Sequence, residues 1–178
     1  LGAGCIDATD FLRSCLLLGL QEKENIGVNP IKLGIIAATD NHSATPGAVK
    51  ESDWNGSVSG EDTALGRLGF GQLGLPLTTA IDSNPGGLAG VWATENTRDA
   101  IFDAMLRKEV FGTSGPRIKP RFFGGWRLDE NLCGNPEMIA EAYKNAVPMG
   151  GDLASNKELN RVPKFLAHAV RDFESSKL

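Results

Sequence analysis

Apolar residues recur at helical spacing near the start of the chain. Between about Asp7 and Asn25 they are Phe11, Leu12, Cys15, Leu16, Leu18 and Leu20, with Arg13 and Gln21 to Glu24 on the polar side. That pattern predicts an amphipathic helix with one core-facing stripe, stopped at Gly27 and Pro30. The run "IKLGIIAA" (31–38) follows, has strand length and hardly alternates, so it predicts a central strand covered on both faces. From Ser43 to about Leu88 the pattern dissolves into recurrent glycines, with prolines at 46, 76 and 85. A connection that long inside a compact domain is functional, interfacial or disordered; starting right after Asp40 and His42, it is read as a flap over a site or an arm gripping a neighbouring subunit.

Periodicity returns at Gly87. "GLAGVWA" predicts a strand, and Asn96 or Thr97 can cap a helix with Asp99 in its first turn. Ile101, Ala104, Met105 and Lys108 mark the inner face of that helix, and Arg107 and Lys108 close it. "VFGTSG" and "RIKPRFFGGW" read as two short strands around a Gly-Pro turn. Asn135-Pro136-Glu137 opens another helix with Pro136 at its first position, and "VPKFLAHAVRD" is a final strand. The expected organisation is one α/β domain in three stretches: 1–42 with helix and strand, 43–88 as the Gly-rich loop or arm, and 89–178 as an α/β continuation.

Composition narrows the function classes. The chain has 178 residues, 41% hydrophobic and 22% charged, with net charge −4 and no Lys/Arg block. Nothing electrostatic favours nucleic acid or a membrane surface. No apolar run approaches the roughly 20 residues that span a bilayer. A soluble protein is expected, cytoplasmic or periplasmic. The three cysteines, Cys5, Cys15 and Cys133, form no CxxC pair and read as buried free thiols. No charged leader opens the chain, and its first methionine is Met105, so the natural start is expected to lie upstream.

Several motifs carry less than their letters suggest. "GFGQLG" (69–74) matches the dinucleotide fingerprint, but Pro76 forbids the helix that must open there. Two triplets, at Asn41 and Asn55, match the glycosylation sequon by chance. "GTSGPR" reads as a tight turn or as backbone amides that, with Arg117, hold an anion. Of the two histidines, His168 sits in an apolar run and is expected to be a hydrogen-bonded structural residue. His42 is different. In "IIAATDNH" it follows Asp40 at i+2, so on an extended chain both project from one face at a strand end. A carboxylate beside an imidazole suits Zn²⁺, Mn²⁺ or Fe²⁺. Asp, Asn and Ser also build turns, so a capped turn stays open as the plainer reading.

The strings "NPIKLGIIAATDNH", "GLAGVWATENTRDAIFDAMLRKEVFGTSGPRI", "RFFGGW" and "VPMGGDL" together resemble a domain-of-unknown-function family related to the PHP (polymerase and histidinol phosphatase) superfamily, from about Phe11 to the end. The resemblance implies the C-terminal part of a distorted β/α barrel, with the Gly-rich stretch as an insertion and extra C-terminal strands. It implies that Asp40 and His42 are the last metal-ligand motif of a multinuclear site whose metal-activated water hydrolyses a small phosphoester. Arg117 would be a substrate contact. The superfamily's earlier ligands, including a His-x-His, lie upstream of this motif, and none of the 41 residues before His42 is histidine. A complete site therefore needs residues outside this chain, and the chain alone is expected to be inactive. The competing expectation is a binding or assembly module without chemistry, forming homo-oligomers through the Gly-rich arm or through exposed core surface.

Overall fold

The computed structural model describes residues 7–38, 87–156 and 161–173. The chain divides into two compact units, Leu1–Gly34 and Ile35–Leu178.

In the first unit a 3₁₀ turn, Ala8–Asp10, leads into helix α1, Leu12–Ile26. The turn is held by reciprocal caps: the Asp7 carboxylate accepts from the Thr9 amide and Asp10 accepts from the Asp7 amide, each at 2.8 Å. The Thr9 amide and hydroxyl hold the Asp7 carboxyl below the usual carboxylate range. Gly27, at φ 81°, ends α1 in the left-handed region and donates to the Lys23 carbonyl. The chain then returns across Gly19, where a side chain would collide with Asn29 and Ile31. The helix lies where its periodicity predicts, but its leucines do not form a buried stripe. Gly19 is its one buried residue, and Leu12, Leu16, Leu17, Leu18 and Leu20 are exposed.

The run 31–38 is a correction. Residues 32–38 form no strand, and Leu33, Ile35 and Ile36 are exposed. A strand exists only through a neighbour that completes its hydrogen-bond ladder, and none of the described strands pairs with this segment. Ala37 instead wedges against Gly112, where a Cβ would stand 2.6 Å from the Ala37 nitrogen.

Among the described residues, the second unit has two small antiparallel sheets and two helices. Strands β1 (Ala89–Val91) and β2 (Val110–Gly112) pair with Gly90 opposite Phe111, whose ring fills the space a side chain at 90 would need. Between them runs α2, Arg98–Leu106, capped by the Thr97 hydroxyl, which accepts from the Ala100 amide at 3.3 Å. Asp99 in its first turn has the favourable sign. The helix ends in a Schellman turn, with the Glu109 amide on the Ala104 carbonyl and the Lys108 amide on the Met105 carbonyl. Lys108 occupies the position glycine usually takes, at φ 61°, so it leaves the helix instead of continuing its inner face.

Strands β3 (Lys119–Gly125), β4 (Val147–Pro148) and β5 (Lys164–Val170) form the second sheet, in the order β4-β3-β5. The strands expected on either side of the Gly-Pro turn therefore belong to different sheets and form no hairpin. Alternation along β3 turns Arg121, Phe123 and Gly125 toward helix α3, Met138–Asn145, which starts two residues after Pro136. The Asn135 side chain accepts from the Glu137 amide, so Pro136 and Glu137 form the turn before the helix. Phe123, Leu128, Leu132, Ala142 and Leu166 make the core, flanked by Met138, Ile139 and Ala146. The protein is mixed α/β, and among the described residues no barrel closes.

Candidate functional site

The most densely wired polar cluster among the described residues grows from the inner face of β3. Arg121 stands two residues before Phe123 on the side that faces the core. Its guanidinium carbon lies 3.5 Å from the centroid of the Trp92 ring and 5.5 Å from that of Tyr143. Trp92 is itself fixed: its indole N–H donates to the Pro120 carbonyl at 2.9 Å, and its ring meets Phe111 at 6.0 Å. Helix α3 supplies Tyr143, the only tyrosine, whose ring meets Phe123 edge-on at 5.0 Å. One Arg121 amino group donates to the Tyr143 hydroxyl at 2.6 Å.

Glu109 completes the relay. It is 4% exposed, the one buried charged residue among those described, and it follows the Schellman turn that ends α2. Arg107 reaches its carboxylate at 3.1 Å through one amino group and 3.4 Å through Nε. The same carboxylate acts on the Tyr143 phenol through its charge. Burial, and then the Glu109 charge, push the phenol above its ordinary value of 10.0, against the pull of Arg121. The phenol therefore holds its proton more tightly than a free tyrosine and accepts from Arg121. Buried carboxylates need a partner, and Arg107 supplies it here.

Across the sheet, His168 sits opposite Arg121 in the β3–β5 register. Its Nδ1 is buried with no hydrogen-bond partner among the described residues, so the bonded structural histidine expected there is not found. The thiols also differ from expectation. Cys133 is exposed, and Cys15 is half-buried and donates to the Thr9 carbonyl at 3.1 Å.

Asp40 and His42 lie outside the described residues, as do "GFGQLG" and nearly all of the stretch from Ser43 to Leu88. Arg117 is half-buried, and its backbone amide donates to the Asp172 carboxylate at 2.8 Å. The amide that an anion would use there is thus taken by an internal acid. Trp92, Glu109, Arg121 and Tyr143 did not stand out in the sequence. One signal was present: strand alternation places Arg121 on the same face as Phe123, an unusual position for an unpaired cation.

A family model described as "Protein of unknown function (DUF3604)" matches residues 3–178. The chain belongs to the DUF3604 family. No curated protein and no solved structure matches this DUF3604 chain. Its site is therefore read from its own residues, and the family match assigns none of them a role.

Proposed function

We propose that this DUF3604 chain serves a PHP-like metal-dependent hydrolase acting on a small phosphoester. The observation that carries the reading is the Arg121 guanidinium, set over Trp92 with a single N–H committed to Tyr143 among the described residues. A guanidinium with donors to spare, braced on an aromatic ring, suits the planar two-point recognition of phosphoryl oxygens. Arg117 remains a second, weaker anion contact. The sequence Asp40-Asn41-His42 adds the metal half of the reading.

The donors fit a divalent metal in kind, since carboxylate and imidazole suit Zn²⁺, Mn²⁺ or Fe²⁺. In number they fall short of the about three protein ligands usual in a catalytic site. Among the described residues no group of three or more His, Cys, Asp or Glu could hold an ion. The His168 imidazole faces Arg121, a poor neighbour for a cation. A metal held by Asp40 and His42 would supply an activated water and stabilise charge on the phosphoryl oxygens. The chain's own part is to hold the substrate anion at Arg121, with Tyr143 and Glu109 positioning that side chain.

The test, on a longer protein that supplies the missing ligands, is metal content by mass spectrometry together with hydrolysis of p-nitrophenyl phosphate. The expected result is metal and activity that are both lost in His42→Ala and in Asp40→Ala. Arg121→Lys is expected to raise KM for the ester while metal content stays unchanged. Full activity in both ligand variants overturns the proposal.

A second reading, a homo-oligomeric assembly module, is favoured by one specific observation. Phe122 and Phe165 stack at 5.5 Å on the outer face of the sheet and stay 46% and 60% exposed. Sedimentation of the wild type beside Phe165→Ser separates the readings: an assembly that dissolves in the variant supports the second.

A further inference from the structure

A cleft of about 500 Å³ opens where β3 runs out, away from anything used above. Its walls are the end of β3, the last turn of α3 and the segment 152–156. The Trp126 indole N–H donates to the Ala154 carbonyl at 3.0 Å, tying that segment to the end of β3. The volume is that of an ordinary small-molecule site.

Two cations line the cleft, and neither is well neutralised. Among the described residues Arg127 forms no ion pair, although Asp129, Glu137 and Glu141 line a separate hollow on its other side. Lys144 has only a 3.8 Å contact to Glu141, with its side chain 72% exposed. Asp152 is the one acid in the lining. The negative end of α3 points here too, but two of its carbonyls are occupied. Ala142 accepts from the Ala146 amide, and Glu141 accepts from the Asn145 side chain at 3.1 Å. Beside these charges the lining has an apolar part, Trp126, Ala146, Val147 and Leu153, and a polar part, Asn145, Ser155 and Asn156.

An apolar wall with an indole on one side and under-neutralised cations at the rim selects for charge and shape together. We infer that the cleft beside Trp126 binds a small organic anion, an apolar body about the size of one aromatic ring carrying a phosphonate, phosphate or carboxylate group. The aromatic part lies along the Trp126 and Leu153 wall, and the anionic group meets Arg127 and Lys144. This site does not rest on the hydrolase reading.

The experiment is titration of the full chain in EDTA with phenylphosphonate, which has no ester to cleave. The readout is the indole N–H resonance of Trp126, assigned by its loss in Trp126→Phe. The expected result is a saturable shift. Inorganic phosphate and the neutral phenol are each expected to bind at least about tenfold more weakly. The double variant Arg127→Gln/Lys144→Gln, whose remaining amide spectrum shows that it is folded, is expected to weaken binding about tenfold or more. Benzoate distinguishes a carboxylate ligand from a phosphoryl one, and saturable binding of either supports the site. The inference is overturned if neither anion shifts the resonance at millimolar concentration. It is equally overturned if phenol binds as well as phenylphosphonate, or if the folded double variant binds like the wild type.

Discussion

Phe122 and Phe123 are neighbours in the chain and differ in almost nothing but the side of β3 they occupy. Phe123 is 1% exposed and central to a core closed by α3, whereas Phe122 lies open on the other face against Phe165. The next two residues repeat the contrast without side chains. A methyl at Gly125 would stand 3.2 Å from both the Ala146 Cβ and the Leu128 Cγ, and one at Gly124 would stand 3.1 Å from the edge of the exposed Phe165 ring. The inner face is fixed by a helix and a relay of polar partners, and the outer face by one ring stack. The two faces of one strand thus differ in what can yield when something changes.

Four substitutions would break or sharpen that contrast. Phe123→Ala should cost about 3–5 kcal/mol, read from urea unfolding, because it opens a cavity among Leu128, Ala142 and Leu166. Gly125→Ala should cost about 1–3 kcal/mol, since its neighbours are packed core atoms that cannot step aside. Tyr143→Phe should show itself through pH. The folded phenol titrates above its ordinary 10.0, so its contribution is complete below that value and fades as pH rises through the raised one. Removing the hydroxyl should flatten the alkaline fall in stability while also costing the Arg121 hydrogen bond, about 1 kcal/mol at neutral pH. Gly124→Ala should be the mildest, about 0.5 kcal/mol or less of either sign, because the Phe165 ring is free to swing. A Gly124→Ala penalty equal to that of Gly125→Ala would show that the outer face is as constrained as the inner one.

The elements legible in the sequence were those written locally. Thr97 announces α2 because its hydroxyl serves an amide three residues on, and Gly27 ends α1 because its backbone is left-handed. The strand β5 was legible for the same reason, as an apolar run bounded by polar residues. What failed was pairing, which no local pattern encodes. "IKLGIIAA" has the composition of a central strand, but strandhood depends on a neighbour, and none of the described strands pairs with residues 32–38. The Arg121 cluster was missed for a related reason. Trp92, Glu109, Arg121 and Tyr143 come from four separate elements, and only the sheet and the α3 packing bring them together. Asp40 and His42, read from one short stretch, lie outside the described residues.

Lys108 has a consequence for peptides cut from this protein. Its left-handed backbone costs about 1 kcal/mol or more, which the first residues of a free helix end have no means to recover. In the folded chain the two amide hydrogen bonds of the Schellman turn offset part of it. Gly150, itself at φ 86°, packs so closely on the Arg107 and Lys108 carbonyls that no side chain would fit. A synthetic segment ending at Glu109 should therefore fray at its last turn, and glycine in place of Lys108 should restore the turn without the rest of the protein. One strained turn is thus packed against a glycine far along the chain.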